Sequence, residues 1–248
     1  MLAIFCLRLA AGMIGCLLAL HPVGVPPRFY RTHFLTALCL ALVASLVGPG
    51  ALTPWSWVWF GLAAILCLGG VVFWSLERVT GTRVWVALTA AALFGMLFTL
   101  ERTDPEAEPF GKVLVGDVTS AALLGAALSA MLMGHSYLIA PAMSLSPLMR
   151  LLTVLALATV ARLAADGQAL GNWTSLHSLG NLREDYLLWL PLRWGMGFLL
   201  PLILTGMAWQ TARIRSTQSA TGILYVVVIF CFLGELTSLL LREPGLTY

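Results

Sequence analysis

The chain has 248 residues, of which 60% are hydrophobic and only 10% charged, with a formal net charge of +3. A water-soluble domain carries about a quarter charged residues, so that class is excluded. Lys112 is the only lysine and there is no basic tail, which excludes nucleic acid as a partner.

The apolar residues fall in runs roughly 18–22 residues long, the length a helix needs to cross about 30 Å of hydrocarbon. Stretches such as Ala121 to Met133 and Leu151 to Leu163 are apolar on every face, unlike the alternating strands of a β-barrel. The reading is all-α: a polytopic transmembrane helical bundle of about eight spans, forming a single integral membrane domain over 1–248.

The first span covers about 2–20 and holds Arg8 inside the run. Met13-Ile14-Gly15-Cys16 is a loose match to a lipoprotein cleavage site, but the apolar run continues to Leu20, so the segment reads as a crossing and not a removed signal. The second, 27–48, opens on Pro26 and Pro27, residues suited to a first helical turn, and carries Arg28, Tyr30, Arg31 and His33. The third and fourth, 55–75 and 83–100, lead into an acidic, Pro-containing loop from Glu101 to Asp117. The fifth, 117–140, ends on Gly134-His135-Ser136-Tyr137 before Pro141. The sixth, 146–165, starts at Ser146-Pro147 and carries Arg162 near its far end. The following segment, Asp166 to Tyr186, contains Trp173, Leu176, His177 and Leu179 and suits a short interfacial helix. The seventh, 187–209, carries Arg193. A polar turn with Arg213 and Arg215, chemistry suited to a phosphate or lipid headgroup, precedes the eighth, 219–241, which carries Glu235.

Eight spans put loops one, three, five and seven on one face, with Arg28, Arg31, Arg78, Arg83, Arg150, Arg213 and Arg215 against the single acid Glu77. Positive short loops stay cytoplasmic, so both termini are expected outside, in a bacterial cytoplasmic (inner) membrane. Trp55, Trp57, Trp59 and Trp189 fall near the expected outer interface and Trp74, Trp85 and Trp209 near the inner one. No internal repeat is visible between 1–110 and 111–248, and most connections are short, so neighbours in sequence should pack side by side. Cys6, Cys16, Cys39, Cys67 and Cys231 all lie in apolar runs without metal or redox spacing and read as small packing residues. Gly12 with Cys16 and Gly125 with Ser129 place small residues four apart, as close helix contacts require.

An ionisable group inside a span costs about 2.5–3.5 kcal/mol on insertion scales and asks for a partner or a purpose. Arg162, Arg193 and Glu235 all fall toward the outer side and are expected as one cluster: an ion pair fixing helix packing, or a proton path. Arg8 and Arg162 also lie where long side chains extend to the headgroups. On the inner side, His33 and His135 lie about 9 Å and about 7–8 Å below the same face. That matching depth fits bis-His haem b, or the head of a quinone with Arg31 and Tyr137 as further donors. It fits equally two interfacial histidines bonded to loop carbonyls.

The chain has no self-contained catalytic motif and no loop long enough to fold as a soluble domain. Three readings stand: a membrane subunit binding quinone, lipid or haem through His33, Arg31, His135 and Tyr137 and associating with other membrane subunits of a redox complex; a small transporter or channel using Arg193 and Glu235; and a structural scaffold in contact with membrane lipid.

Overall fold

In the computed structural model, residues 1–21, 24–48, 53–76, 81–101, 110–140, 143–176 and 191–240 are described. They form eight long helices and no strands. These are α1 (Leu2–Cys16, continued by a 3₁₀ turn at Leu17–Ala19), α2 (Pro27–Val47), α3 (Pro54–Ser75), α4 (Thr82–Glu101), α5 (Phe110–Ile139), α6 (Ser146–Leu176), α7 (Pro191–Arg213, with a π-turn at Gly195–Leu199) and α8 (Thr217–Leu240). All eight are long and apolar enough to cross a membrane, and the protein is an integral multi-pass helical bundle. The side holding the N-terminus is called the N-terminal face below.

Local chemistry explains most ends. Pro27 and Pro54 occupy first turns, where a missing N–H costs nothing. Thr53 accepts from the amide of Ser56 and caps α3. At the α7–α8 corner the amide of Ser216 donates to Thr211 and that of Arg215 to Ala212, a Schellman ending with Arg215 at φ 60° where glycine is usual.

Two boundaries differ from the sequence reading for a shared reason. Helix α5 starts at Phe110, before the expected 117, and α6 continues to Leu176, past the expected 165. In each, a charged residue taken as a loop marker, Asp117 or Asp166, is paired inside the bundle and so does not end the helix. The expected interfacial helix lies partly in that extension, while His177 and Leu179 fall outside the described residues, as do Arg78, Glu77 and Trp189.

Packing follows a simple order. Helix α1 packs on α2, α2 on α3, α3 on α4, and α4 returns to α1. In the same way α5 packs on α6, α6 on α7, α7 on α8, and α8 returns to α5. Sequence neighbours are thus adjacent except across α4–α5, where the chain passes from one four-helix unit to the next. The units meet along α1 and α5, the two most buried helices. Their backbones touch: a Cβ added to Gly12 would lie 1.7 Å from the Ala121 carbonyl oxygen, and one added to Gly125 would lie 2.0 Å from the Gly12 carbonyl carbon. Only glycine permits this approach. No sequence repeat announces the two units, yet both close in the same order.

Candidate functional site

The largest departure from apolar packing is a set of ionised side chains buried between α5, α6, α7 and α8 on the N-terminal side. Glu235, fully buried on α8, accepts four hydrogen bonds. Arg162 donates from Nε at 2.9 Å and Nη2 at 3.2 Å, Arg193 from Nη2 at 3.0 Å, and the Ser120 hydroxyl at 2.5 Å. Asp166, half-buried, accepts from Arg162 Nη1 at 3.0 Å and from Arg193 Nε at 3.0 Å and Nη2 at 2.6 Å. Two guanidiniums and two carboxylates therefore alternate in a closed, charge-neutral ring. Ser238 completes the shell, accepting from Arg162 Nη2 at 3.3 Å. In a low-dielectric interior such a ring holds because every carboxylate oxygen is occupied; removing one member would leave the others uncompensated.

A second neutral pair lies beside it. Arg8, fully buried on α1, donates to Asp117 of α5 from Nε at 2.8 Å and Nη2 at 2.5 Å. Asp117 sits one turn before Ser120 on the same helix, so the pair joins the two four-helix units next to the ring. Neither Arg8 nor Arg162 extends to the headgroups, as their positions near helix ends imply; both are buried because a carboxylate on another helix meets each.

Helix α7 is built for this position. Its π-turn bonds residues five apart and so brings Phe198 beneath Arg193, with the guanidinium carbon 4.4 Å from the ring centroid. Gly197 lets α8 approach, since a Cβ on Gly234 would lie 2.4 Å from the Gly197 Cα. Arg193 Nη1 lies against these two glycines and has no acceptor among the described residues.

Phe198 also lines a groove of about 490 Å³ between α6 and α7. Thr159, Val160 and Leu163 line it from α6, and Trp194, Gly195, Phe198 and Leu199 from α7. Its volume falls in the range of small-molecule sites. Val160 and Leu199 are exposed, so it opens toward the lipid. Trp194 stands edge-on to Phe198, ring centroids 5.7 Å apart.

The constellation expected around His33 and His135 does not converge. His33 is fully buried, with Nδ1 bonded to the Phe29 carbonyl at 2.8 Å and Nε2 to the Ser129 hydroxyl at 3.0 Å, so neither nitrogen is open to a ligand. His135 and Arg31 are exposed, and the Tyr137 hydroxyl donates to the Ser144 carbonyl. The expected His33–His135 pair is absent because His135 lies six residues beyond Ser129, on a different side of α5. Among the described residues no group of three or more His, Cys, Asp or Glu could hold a metal ion. All five cysteines are free, and all but Cys39 are buried.

The sequence marks Arg162, Arg193 and Glu235 but not Asp166, Asp117, Ser120 or Ser238. The four-residue spacing of Arg162 and Asp166 is a legible signal; nothing in the sequence points Ser120 or Ser238 at Glu235.

Fold and site define a helical membrane protein with a buried, neutral ion-pair ring beside a lipid-facing groove. Compared with family models, curated proteins and solved structures, the chain finds no match.

Proposed function

We propose that this chain is a ligand-binding subunit of a bacterial inner membrane, both termini outside, that seats an amphiphile in the α6–α7 groove. The class is an isoprenoid quinone or an acyl lipid, handled alongside other membrane subunits of a redox assembly. The observation that carries the reading is a shared residue: Phe198 lines the groove and its ring also carries the Arg193 guanidinium. An apolar tail thus lies beside a rigid polar cluster, the arrangement an amphiphile needs. The site differs from the His33 and His135 region in residues and in face, and haem receives no support because His33 has no open nitrogen.

Gly195 lines the groove, and a Cβ there meets nothing within 4 Å. Gly195→Leu should therefore fill the groove while leaving the ring intact. Mass spectrometry of lipid extracted from purified protein is expected to find a co-purifying isoprenoid or acyl species that is lost from this variant. An identical lipid profile in the two preparations would reject the reading.

The transport reading keeps one specific support, the contact of Arg193 with the fully buried Glu235. It requires that Glu235→Gln abolish pH-linked flux in proteoliposomes, and unaltered flux would discard it. If neither lipid binding nor flux is found, the scaffold reading stands, with the ring fixing helix packing.

A further inference from the structure

We infer that the face opposite the N-terminus is a binding surface for anionic phospholipid headgroups, built from Arg28, Arg31, Arg83, Arg150, Arg213 and Arg215. The surface shares no residue with the α6–α7 groove, so it stands or falls separately from the ligand reading above.

Charge neutralisation divides the described arginines into two sets. Arg8, Arg162 and Arg193 are buried, and they meet Asp117, Asp166 and Glu235. Those three carboxylates are the acids whose side chains are described, so none of them is left for the other six arginines. All six are exposed, and no guanidinium among them has an ion-pair or hydrogen-bond partner among the described residues. Like charges gathered at one end of a bundle repel each other and concentrate anions from outside.

Placement selects a lipid as the source of those anions. Arg28, Arg83, Arg213 and Arg215 stand within two residues of a helix end. Arg31 and Arg150 lie four residues inside α2 and α6, about 6 Å deeper at the helical rise, yet both are exposed on the flank of the bundle. Apolar side chains continue the same surfaces: Leu35 is exposed one turn beyond Arg31, Leu157 two turns beyond Arg150, and Ile214 between Arg213 and Arg215. A phospholipid matches both parts, its phosphate the guanidiniums through paired N–H···O bonds and its acyl chains the apolar flank. An acidic protein segment matches the charge but not the apolar residues interleaved with it. A headgroup of net negative charge is favoured over a zwitterionic one, whose own cation cancels its phosphate. Arg215 adds a further sign, because at φ 60° a glycine would sit without steric cost, whereas arginine keeps a cation at the corner against that preference.

The test offers the full-length protein in detergent equal amounts of dioleoylphosphatidylglycerol and dioleoylphosphatidylcholine, which share their acyl chains, and counts bound lipid by native mass spectrometry. The parent should hold about tenfold more phosphatidylglycerol, the weight of roughly one to two arginines at an anionic surface. Raising ammonium acetate from about 0.05 M to about 0.5 M should lower that ratio several-fold. Arg213→Gln combined with Arg215→Gly removes two cations and gives the corner its usual glycine, so folding is kept and the ratio should fall about threefold. Adding Arg31→Gln and Arg150→Gln should bring the two lipids close to parity. Lys112→Gln removes a cation from the N-terminal face and should leave the ratio unchanged, as should Gly195→Leu in the groove. Equal binding of the two lipids by the parent, a preference that survives all four arginine changes, or a loss in Lys112→Gln as large as that at the corner would overturn the inference. A ratio lowered by Gly195→Leu would place the anionic lipid in the groove and overturn it too. So would a fluorescent decaglutamate peptide that binds a parent showing no phosphatidylglycerol preference, which would reassign the face to an acidic protein segment.

Discussion

The two four-helix units close in the same order but are filled with different chemistry. In α1–α4, glycines form notches that aromatic rings occupy: Gly70 receives Phe34, Gly69 receives Trp85 and Gly95 receives Trp59, while Tyr30 stacks on Trp74 at 3.9 Å. Among its described residues, Arg8 is the only buried Arg, Lys, Asp or Glu, and it is neutralised across the boundary by Asp117. In α5–α8, glycines at 197 and 234 instead bring backbones together around an ion-pair ring, and the α6–α7 interface is left open as a groove. Ring-on-glycine packing needs no partner chemistry. The charged unit costs desolvation and keeps a cavity, which is where a purpose beyond stability is to be sought.

That contrast can be broken at several points. The largest effect belongs to Glu235→Leu, which leaves Arg162 and Arg193 to share Asp166 alone, with one buried positive charge uncompensated; about 3–5 kcal/mol of stability should be lost, read as a large fall in thermal midpoint in detergent. A midpoint unchanged from the parent would show that the ring holds nothing together. Next comes Gly12→Ala at the seam. The new methyl meets a backbone carbonyl that cannot rotate away, so destabilisation should reach the upper part of about 1–3 kcal/mol, whereas the same change at Gly15, where a Cβ meets nothing within 4 Å, should be near neutral. Equal effects at the two sites would dissolve the seam.

His33→Ala removes a polar link between the units and leaves the Ser129 hydroxyl unpaired, for about 1–3 kcal/mol. The purified parent protein is expected to be colourless, and a Soret band lost in this variant would reverse the account of His33. Smallest is Tyr30→Phe. The hydroxyl is buried without a partner among the described residues, so removing it should change the midpoint by less than about 0.5 kcal/mol equivalent or raise it slightly. A clear loss would mean that the Tyr30 hydroxyl, too, has a partner.

The sequence alone determined that this is a membrane bundle of eight helices, because hydrocarbon forbids unpaired backbone and each long apolar run has to become a crossing. It also marked Arg162, Arg193 and Glu235, since charge in an apolar run is visible wherever it falls. It did not determine partners. His33 and His135 share a depth, but helix rotation about its own axis decides whether they face one another, and that rotation is set by which surfaces pack. The same tertiary choice put Arg8 against Asp117, 109 residues away. It turned Ser120 toward Glu235, carried α6 past Asp166 and left the groove open between α6 and α7. Depth is written locally by the 1.5 Å rise of a helix; azimuth is settled only when all eight helices compete for the same neighbours.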